Sequence, residues 1–191
     1  MSAGEIDIFP QLLIGETSGN LRRVFYLSDA VKKTSRGDSG IVNLHVVGAG
    51  VMGGDIAAFS ALKGLNVSLA DMNQRALENA LERAQKLFER RLKTEEEISA
   101  AMTRLQIDAT GESASKADLI IEAVSEKLEV KQTVFSTLEK ICGPDTILAT
   151  NTSAILLEDI ASGLAKPEKL IGLHFFNPMP VLPLVEVIWS K

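Results

Sequence analysis

A histidine and a glutamate near the C-terminus are the first candidates for chemistry. His174 lies in the apolar run LIGLHFFNPMPVLPLVEV, and Glu186 is the only acid between Ile171 and Lys191. A buried carboxylate that accepts a hydrogen bond from one imidazole nitrogen fixes the tautomer and leaves the other nitrogen free as a general base. Such a pair suits alcohol oxidation, in which the base takes the hydroxyl proton. The alternative is a core histidine and an outward-facing glutamate on an edge strand.

Ser153 is a third candidate. It lies in TNTSA, just after the predicted strand TILATN, and ligands of open parallel sheets bind outside the carboxyl ends of the strands. A serine there can hydrogen-bond a substrate oxygen. Equally, Thr152 or Ser153 can cap the following helix. No G-x-S-x-G motif surrounds Ser153, which argues against a serine hydrolase.

A glycine-rich turn forms a candidate nucleotide site. Gly48, Gly50 and Gly53 have the G-x-G-x-x-G spacing in GAGVMG, and Val51 and Met52 complete the segment. The segment follows a predicted strand and opens a predicted helix, as a dinucleotide site requires. The first glycine permits the tight turn, the second admits a pyrophosphate, and the third lets the helix pack closely on the strand. The N-terminus of the helix presents free N–H groups to the phosphates.

Two aspartates bear on this site. Asp71 ends the predicted strand NVSLAD, 23 residues after Gly48, where a carboxylate accepts hydrogen bonds from the adenosine ribose and repels the extra phosphate of NADP. The sequence therefore predicts an NAD site, with a solvated Asp71 that caps the next helix as the alternative. Asp55 suits the helix dipole but not a nearby phosphate, and the sequence leaves the direction of its side chain open.

The composition limits the classes of protein. Apolar residues make up 46% of the 191 residues, charged residues make up 24%, and the net charge is −5. These values predict a globular core and argue against nucleic-acid binding. The chain has no apolar run of the roughly 18 residues that a membrane span needs, and residues 1–40 lack the basic-then-apolar order of a signal peptide. Cys142 is the single cysteine, and His45 and His174 lack metal-ligand spacing, so we expect neither a disulfide nor a metal. We expect a bacterial cytoplasmic protein, with an organelle matrix as the alternative.

From Ile41 onward, predicted strands and helices alternate. This rhythm predicts an α/β fold with a Rossmann-type, doubly wound, mostly parallel sheet and helices on both faces. The first predicted strand is Ile41–Val47, and Ala117–Val124 is apolar enough for a strand buried on both faces. The polar stretch Thr34–Gly40 predicts a linker, and NLRRVFYLSDAVKK before it predicts an amphipathic helix that docks on another surface. The expected domains are residues 1–40 and residues 41–191.

Four motifs carry a resemblance to a known family. VVGAGVMGG, DLIIEAVSEKLEVK, ATNTS and GLHFFNPMPVLPLVEV occur in the order and spacing of the NAD-binding domain of the L-3-hydroxyacyl-CoA dehydrogenases of fatty-acid β-oxidation. The resemblance implies oxidation of an L-3-hydroxyacyl-CoA to the 3-ketoacyl-CoA, with His174 and Glu186 as the catalytic pair and Ser153 at the substrate oxygen. It further implies that Glu126, Lys131 and Asn151 contribute to the cofactor side, and Asn177 to the substrate side.

The N-terminal segment narrows the resemblance. LLIGETSGNLRRVFYLSDAVKK, and Pro183 in LPLVEV, resemble the multifunctional branch, in which a helix joins an enoyl-CoA hydratase module to the dehydrogenase. We therefore expect an excised piece whose partners are that module, the acyl-CoA substrate and a helical domain that completes the substrate site and forms a dimer contact. We expect the isolated chain to bind NAD but to turn over poorly. Ala154 occupies a position where the family often has Ser or Thr, and we expect this difference to alter the substrate loop slightly.

Two other functions stay open. One is a dehydrogenase of a free 3-hydroxy acid, against which the HFFNP…LVEV spacing and the hydratase-like segment argue. The other is a non-catalytic NAD(H)-binding module, against which the intact Ser153, His174 and Glu186 argue.

Overall fold

A computed structural model describes residues 15–34, 39–179 and 184–189. Its backbone contacts divide the chain into two units, residues 1–40 and residues 41–191. The predicted linker lies partly outside the described residues, and so does Pro183. The same holds for part of NPMPVLP, a proline-rich segment that predicts a hairpin-like connection between two strands. In the first unit the predicted helix is present as α1, Glu16–Thr34. Its apolar side chains Leu21, Val24 and Phe25 are exposed.

The second unit is built on a seven-stranded sheet. The strand order is β3-β2-β1-β4-β5-β6-β7, in which all neighbours are parallel except the last pair. This confirms the predicted α/β, Rossmann-type sheet. The strands are β1 (Asn43–Val47), β2 (Asn66–Ala70), β3 (Leu105–Ile107), β4 (Leu119–Glu122), β5 (Ile147–Thr150), β6 (Leu170–Phe175) and β7 (Val185–Trp189).

Helices connect the parallel strands, and local side chains set where they begin. Asn73 accepts hydrogen bonds from the N–H groups of Arg75 and Ala76 at the start of α3. Thr94 and Glu97 form a capping box at the start of α4, so a new helix begins there after α3 ends. The helices are α2 (Val51–Leu62), α3 (Gln74–Arg91), α4 (Glu95–Arg104), α5 (Leu128–Ile141) and α6 (Leu157–Ala161), with short 3₁₀ turns at Glu112–Lys116 and Pro167–Lys169.

The central strand β4 is buried on both faces, as its apolar sequence predicts. Ile121 packs in one core cluster and Ile120 in the other, on the opposite side of the sheet. Each fully buried isoleucine contributes about 1.5–3 kcal/mol to stability. The strand is shorter than the predicted Ala117–Val124, because only Leu119–Glu122 continue the ladders to both neighbouring strands.

The strand order places the loops that carry the candidate residues side by side. The order reverses between β1 and β4, and this switch point is where open α/β sheets bind ligands. The glycine turn follows β1, residues 123 and 124 follow β4, and residues 151–153 follow β5. None of the helices in the described part of the chain combines the length and apolarity needed to cross a bilayer.

Candidate active site

The three glycines of the turn have different steric surroundings. Gly48 has φ +105°, and a Cβ atom there would lie 2.6 Å from the Ala123 carbonyl oxygen. A Cβ atom on Gly53 would lie 1.8 Å from the Gly48 carbonyl oxygen, whereas one on Gly50 would meet no atom within 4 Å. Gly48 and Gly53 are therefore required by the fold. Gly50 instead borders open space, which is where the expected ligand must approach the backbone.

The N-terminus of α2 is available for hydrogen bonding to a ligand. Gly50 is the N-cap residue and no side chain caps the helix. The first N–H groups of an α-helix have no partner within the helix, and they form a favourable site for anions. Val51 and Met52 are its first two residues, and Val51 is exposed. The turn therefore fits the diphosphate of a dinucleotide.

Asp71 is fixed beside the glycine turn. Its Oδ2 accepts a hydrogen bond from the Ala49 N–H at 2.6 Å, and its Oδ1 accepts one from the Asn73 N–H at 2.8 Å. The alternative, that Asp71 caps the next helix, is wrong, because Asn73 caps α3. Two backbone hydrogen bonds thus hold the carboxylate next to the turn. The second lone pair of each oxygen is free to accept from a ribose hydroxyl.

The direction of the Asp55 side chain is resolved by a residue that the sequence analysis did not identify. Asp55 Oδ1 lies 3.6 Å from Nε of Arg83 on α3. The carboxylate therefore faces a cation, which offsets the conflict with a bound phosphate.

The structure brings His174 and Glu186 together. His174 Nδ1 lies 2.9 Å from Glu186 Oε2, across the antiparallel pair β6–β7. The two strands of the predicted hairpin therefore pair, but the expectation of a buried carboxylate is wrong. The Glu186 side chain is 56% exposed and that of His174 is 23% exposed, because β7 is an edge strand whose described residues are all exposed. The His174 ring also lies 4.7 Å from that of Phe176, between centroids.

His174 lines a cleft together with five of the other candidate residues. The cavity measures about 430 Å³ and lies outside the carboxyl ends of β4, β5 and β6. A 2.9 Å hydrogen bond from the Phe175 N–H to Asn151 Oδ1 ties the end of β5 to β6 and so holds the β5 loop beside His174. The candidates that line this cleft are Met52, Glu126, Asn151, Ser153, His174 and Asn177.

Glu126 organises the loop that carries Ser153. Its Oε1 accepts the N–H groups of Ser153 at 3.1 Å and Ala154 at 3.3 Å, together with the Thr152 hydroxyl. Burial alone would raise the pKa of Glu126, but the Thr152 hydroxyl, the Lys131 ammonium and the Ser153 N–H together lower it. Glu126 is therefore a carboxylate at neutral pH, and the loop folds around its charge.

Thr152 and Ser153 do not cap the following helix. The Thr152 oxygen accepts the Ile155 N–H at 3.1 Å, while α6 begins only at Leu157 without a side-chain cap. Within the described residues, the Ser153 hydroxyl has no hydrogen-bond partner. It is thus available to a ligand in the cleft.

Lys131 lies deeper than the resemblance implied. Its Nζ atom is 2.8 Å from Glu122 Oε1 and 3.2 Å from Glu126 Oε2, and its side chain is 1% exposed. Glu122 is fully buried and also accepts the Val124 N–H at 2.7 Å and the Thr150 hydroxyl at 2.7 Å. This Glu122–Lys131–Glu126 network joins the end of β4 to the Ser153 loop. In the sequence, Glu122 is an acid inside an apolar predicted strand, and a charge buried there requires a buried partner.

His45, the second histidine, belongs to the core. It is fully buried, and its Nδ1 lies 2.8 Å from the Ser68 hydroxyl. Burial lowers its pKa, and the negative charge of Asp108 offsets part of that effect. The ring is therefore neutral at pH 7 and forms no part of the cleft around His174. The described residues contain no group of three or more His, Cys, Asp or Glu that could hold a metal ion.

Comparisons with known proteins show which family the chain resembles. The family model for the NAD-binding domain of 3-hydroxyacyl-CoA dehydrogenase matches residues 43–191. A probable 3-hydroxybutyryl-CoA dehydrogenase of Bacillus subtilis is 42% identical over 152 residues, which is 78% of this chain and 53% of that protein. The chain thus spans about half the length of this relative.

Solved structures of dehydrogenases also resemble this chain. The 3-hydroxybutyryl-CoA dehydrogenase of Escherichia coli K12 superposes with a TM-score of 0.73 at 40% identity, over 77% of this chain and 32% of that one. The dehydrogenase part of multifunctional enzyme 1 from Caenorhabditis elegans gives a TM-score of 0.71 at 33% identity, over 82% of this chain and 38% of that one.

Proposed function

Because this chain belongs to the 3-hydroxyacyl-CoA dehydrogenase family and carries its NAD-binding domain, we propose that it serves the NAD-dependent oxidation of an L-3-hydroxyacyl-CoA to the 3-ketoacyl-CoA. The observation that carries this proposal is the hydrogen bond between Glu186 and His174, the histidine that lines the cleft. The same cleft is bounded by Met52 of α2, whose N-terminus forms part of the dinucleotide site.

In the proposed reaction, His174 is the general base. The contact between Glu186 and Nδ1 holds the proton on that nitrogen and leaves Nε2 as the acceptor for the proton of the substrate 3-hydroxyl. The glutamate also stabilises the imidazolium that forms. NAD, when bound, supplies the acceptor for the hydride that leaves C3. The O–H bond of the 3-hydroxyl group and the C3–H bond break, and the C3=O double bond of the product forms.

Ser153 is proposed to bind the substrate oxygen. Its hydroxyl is unpartnered within the described chain, and the Glu126 carboxylate fixes its backbone. Asn177, which lines the same cleft, is proposed to contact the substrate as well. Prepositioned donors of this kind stabilise the charge that develops on an oxygen in the transition state.

The dinucleotide is proposed to span the glycine turn, with its adenosine ribose on Asp71 and its diphosphate on the first turn of α2. The open space at Gly50 and the uncapped helix support this arrangement. The Asp71 carboxylate disfavours a 2′-phosphate by charge. NAD is therefore preferred over NADP.

We also propose that residues 41–191 act as the NAD-binding domain of a longer enzyme of fatty-acid β-oxidation. The chain spans about half of its curated relatives, and one of the similar structures is the dehydrogenase part of a multifunctional enzyme. On this proposal a helical domain completes the acyl-CoA site and supplies a dimer contact, α1 is the helix that joins a hydratase module, and the isolated chain turns over poorly. A cytoplasmic bacterial location fits this role.

The experiment compares a thioester with its free acid. Acetoacetyl-CoA and acetoacetate are offered with NADH to the chain and to the full-length product of its gene, and NADH absorbance is followed. The proposal predicts rapid oxidation of NADH by the full-length protein with the thioester only. Equal rates with acetoacetate would favour a free 3-hydroxy acid dehydrogenase. NADH binding without turnover in the full-length protein would favour a non-catalytic module.

A further inference from the structure

Arg83 reaches from α3 to the glycine turn. Its Nη2 atom donates a hydrogen bond to the Gly50 carbonyl oxygen at 3.0 Å. Its Nε atom lies 3.6 Å from Asp55 Oδ1, an ion pair without a hydrogen bond. One guanidinium therefore joins α3, the N-cap residue of α2 and the acid in the following turn of that helix.

A buried glycine makes room for this guanidinium. A Cβ atom on Gly54 would lie 2.4 Å from Arg83 Nη2 and 3.0 Å from the Ala80 Cβ atom. Gly54 thus lets α2 and α3 approach closely with the Arg83 side chain beside the contact. Any larger residue at position 54 would displace the guanidinium.

The hydrogen bond to Gly50 controls the direction of a ligand-binding donor. The Gly50 oxygen accepts both from Arg83 and from the Gly54 N–H, the latter at 3.0 Å. Because a peptide group is planar and trans, its C=O and N–H point in opposite directions. Fixing the Gly50 carbonyl therefore fixes the Val51 N–H, which is one of the free donors at the start of α2.

The charge of Arg83 also favours a diphosphate at the glycine turn. Asp55 lies in the part of α2 nearest the turn, and an unpaired carboxylate there would repel a diphosphate. The Asp55 side chain is 21% exposed and that of Arg83 is 38% exposed, so water screens this repulsion only in part. The ion pair makes the local charge neutral instead of negative.

We propose that Arg83 is a positioning residue of the dinucleotide site, which orients the glycine turn and neutralises Asp55 so that the turn accepts a diphosphate. This inference deepens the proposed cofactor site and rests on it. The competing explanation is that Arg83 only packs α3 against α2. That explanation predicts a loss of stability and no selective loss of affinity for ligands that carry phosphate.

The test is a double-mutant cycle on the chain with Arg83→Met, Asp55→Asn and the double variant. Methionine keeps much of the aliphatic stem, and Arg90→Met on the same helix is the matched control, since Arg90 contacts only the carbonyl of Lys86 among the described hydrogen bonds. Fluorescence titration gives the affinity for NADH. Saturation-transfer NMR gives the affinity for adenosine, which has the ribose but no phosphate. Thermal unfolding verifies the fold of each variant.

We expect Arg83→Met to weaken NADH binding about tenfold, with adenosine and the control variant unaffected. Adding Asp55→Asn should recover part of the loss, because it removes the unpaired carboxylate. Equal NADH affinity in Arg83→Met and wild type, or an equal loss for adenosine, would overturn the inference while leaving the cofactor site intact. Failure of the wild-type chain to bind NADH would instead overturn the cofactor site and, with it, this inference.

Discussion

His174 and Glu186 face each other across an antiparallel strand pair, with Nδ1 and Oε2 2.9 Å apart. Opposed side chains in such a pair are close enough to interact directly. The register of β6 and β7 therefore sets the geometry of the proposed catalytic pair. Since Glu186 is exposed, water screens its charge, and the pair depends on geometry more than on a low dielectric.

Replacing Glu186 with Gln should slow the proposed oxidation by about a hundredfold. The amide has no charge to stabilise the imidazolium, although it can still occupy the same position beside Nδ1. The affinity for NADH should not change, because Glu186 lies on the edge strand and not at the glycine turn. The matched control is Glu168→Gln, an exposed glutamate just before β6. The rate is measured as turnover of NADH with acetoacetyl-CoA in the full-length protein. A Glu186→Gln variant that keeps the wild-type rate would exclude Glu186 from the mechanism.

Gly50→Ala and Gly53→Ala should separate binding from folding. The methyl group at position 50 enters open space, so stability is kept while NADH binding falls by about tenfold or more. The methyl group at position 53 would lie 1.8 Å from the Gly48 carbonyl oxygen, and we expect a loss of about 3 kcal/mol of unfolding free energy. Urea unfolding and NADH titration measure the two effects. Unchanged NADH affinity in Gly50→Ala would place the diphosphate elsewhere.

Lys131→Met should destabilise the chain by about 3–5 kcal/mol, because it leaves the fully buried Glu122 without its cation. The double variant Lys131→Met with Glu122→Gln should recover much of that loss, since no uncompensated charge remains in the core. The free energy of unfolding in urea gives both values. If the two changes simply add, the ion pair is not the reason for the instability.

Asp108→Asn should make stability less dependent on pH. Burial alone would raise the pKa of Asp108, but hydrogen bonds from Ser113, Thr110 and Gly111 lower it from 3.8 to about 2. A carboxyl group whose pKa is lowered by folding stabilises the protein above its unfolded pKa and loses that effect as pH falls towards its folded pKa. Asp108 is only partly buried, so water screens part of this effect. The substitution should thus lower the free energy of unfolding by about 1–2 kcal/mol at pH 7.

The difference in unfolding free energy between wild type and Asp108→Asn should shrink as pH falls from about 4 to about 2. Chemical denaturation at several pH values measures it. A difference that stays constant across this range would mean that the hydrogen bonds to Asp108 do not depend on its charge.

The sequence was sufficient for the sheet and for the glycine turn because both depend on local patterns. The alternation of apolar strands and amphipathic helices predicts the parallel sheet, and the spacing of Gly48, Gly50 and Gly53 has a steric reason that the structure confirms for two of the three. The hairpin that joins His174 to Glu186 could also be predicted, from two apolar strands around a proline-rich connection.

The charge partners could not be predicted in the same way. Arg83 is 33 residues from Gly50 along the chain, and its contact depends on how closely α2 and α3 pack. Glu122 is an acid inside an apolar predicted strand, which indicates a buried partner but does not identify it, and that partner is Lys131 on the following helix. The exposure of Glu186 follows from the edge position of β7, which the sequence offered only as the alternative to a buried carboxylate.

The central claim is that His174 is the base of an NAD-dependent dehydrogenase. The most direct measurement compares wild type with His174→Gln in the full-length product of the gene, using acetoacetyl-CoA and NADH for turnover and fluorescence titration for NADH affinity. We predict that turnover falls by about a thousandfold while NADH affinity stays within about twofold of wild type. Turnover that survives the substitution would contradict the claim.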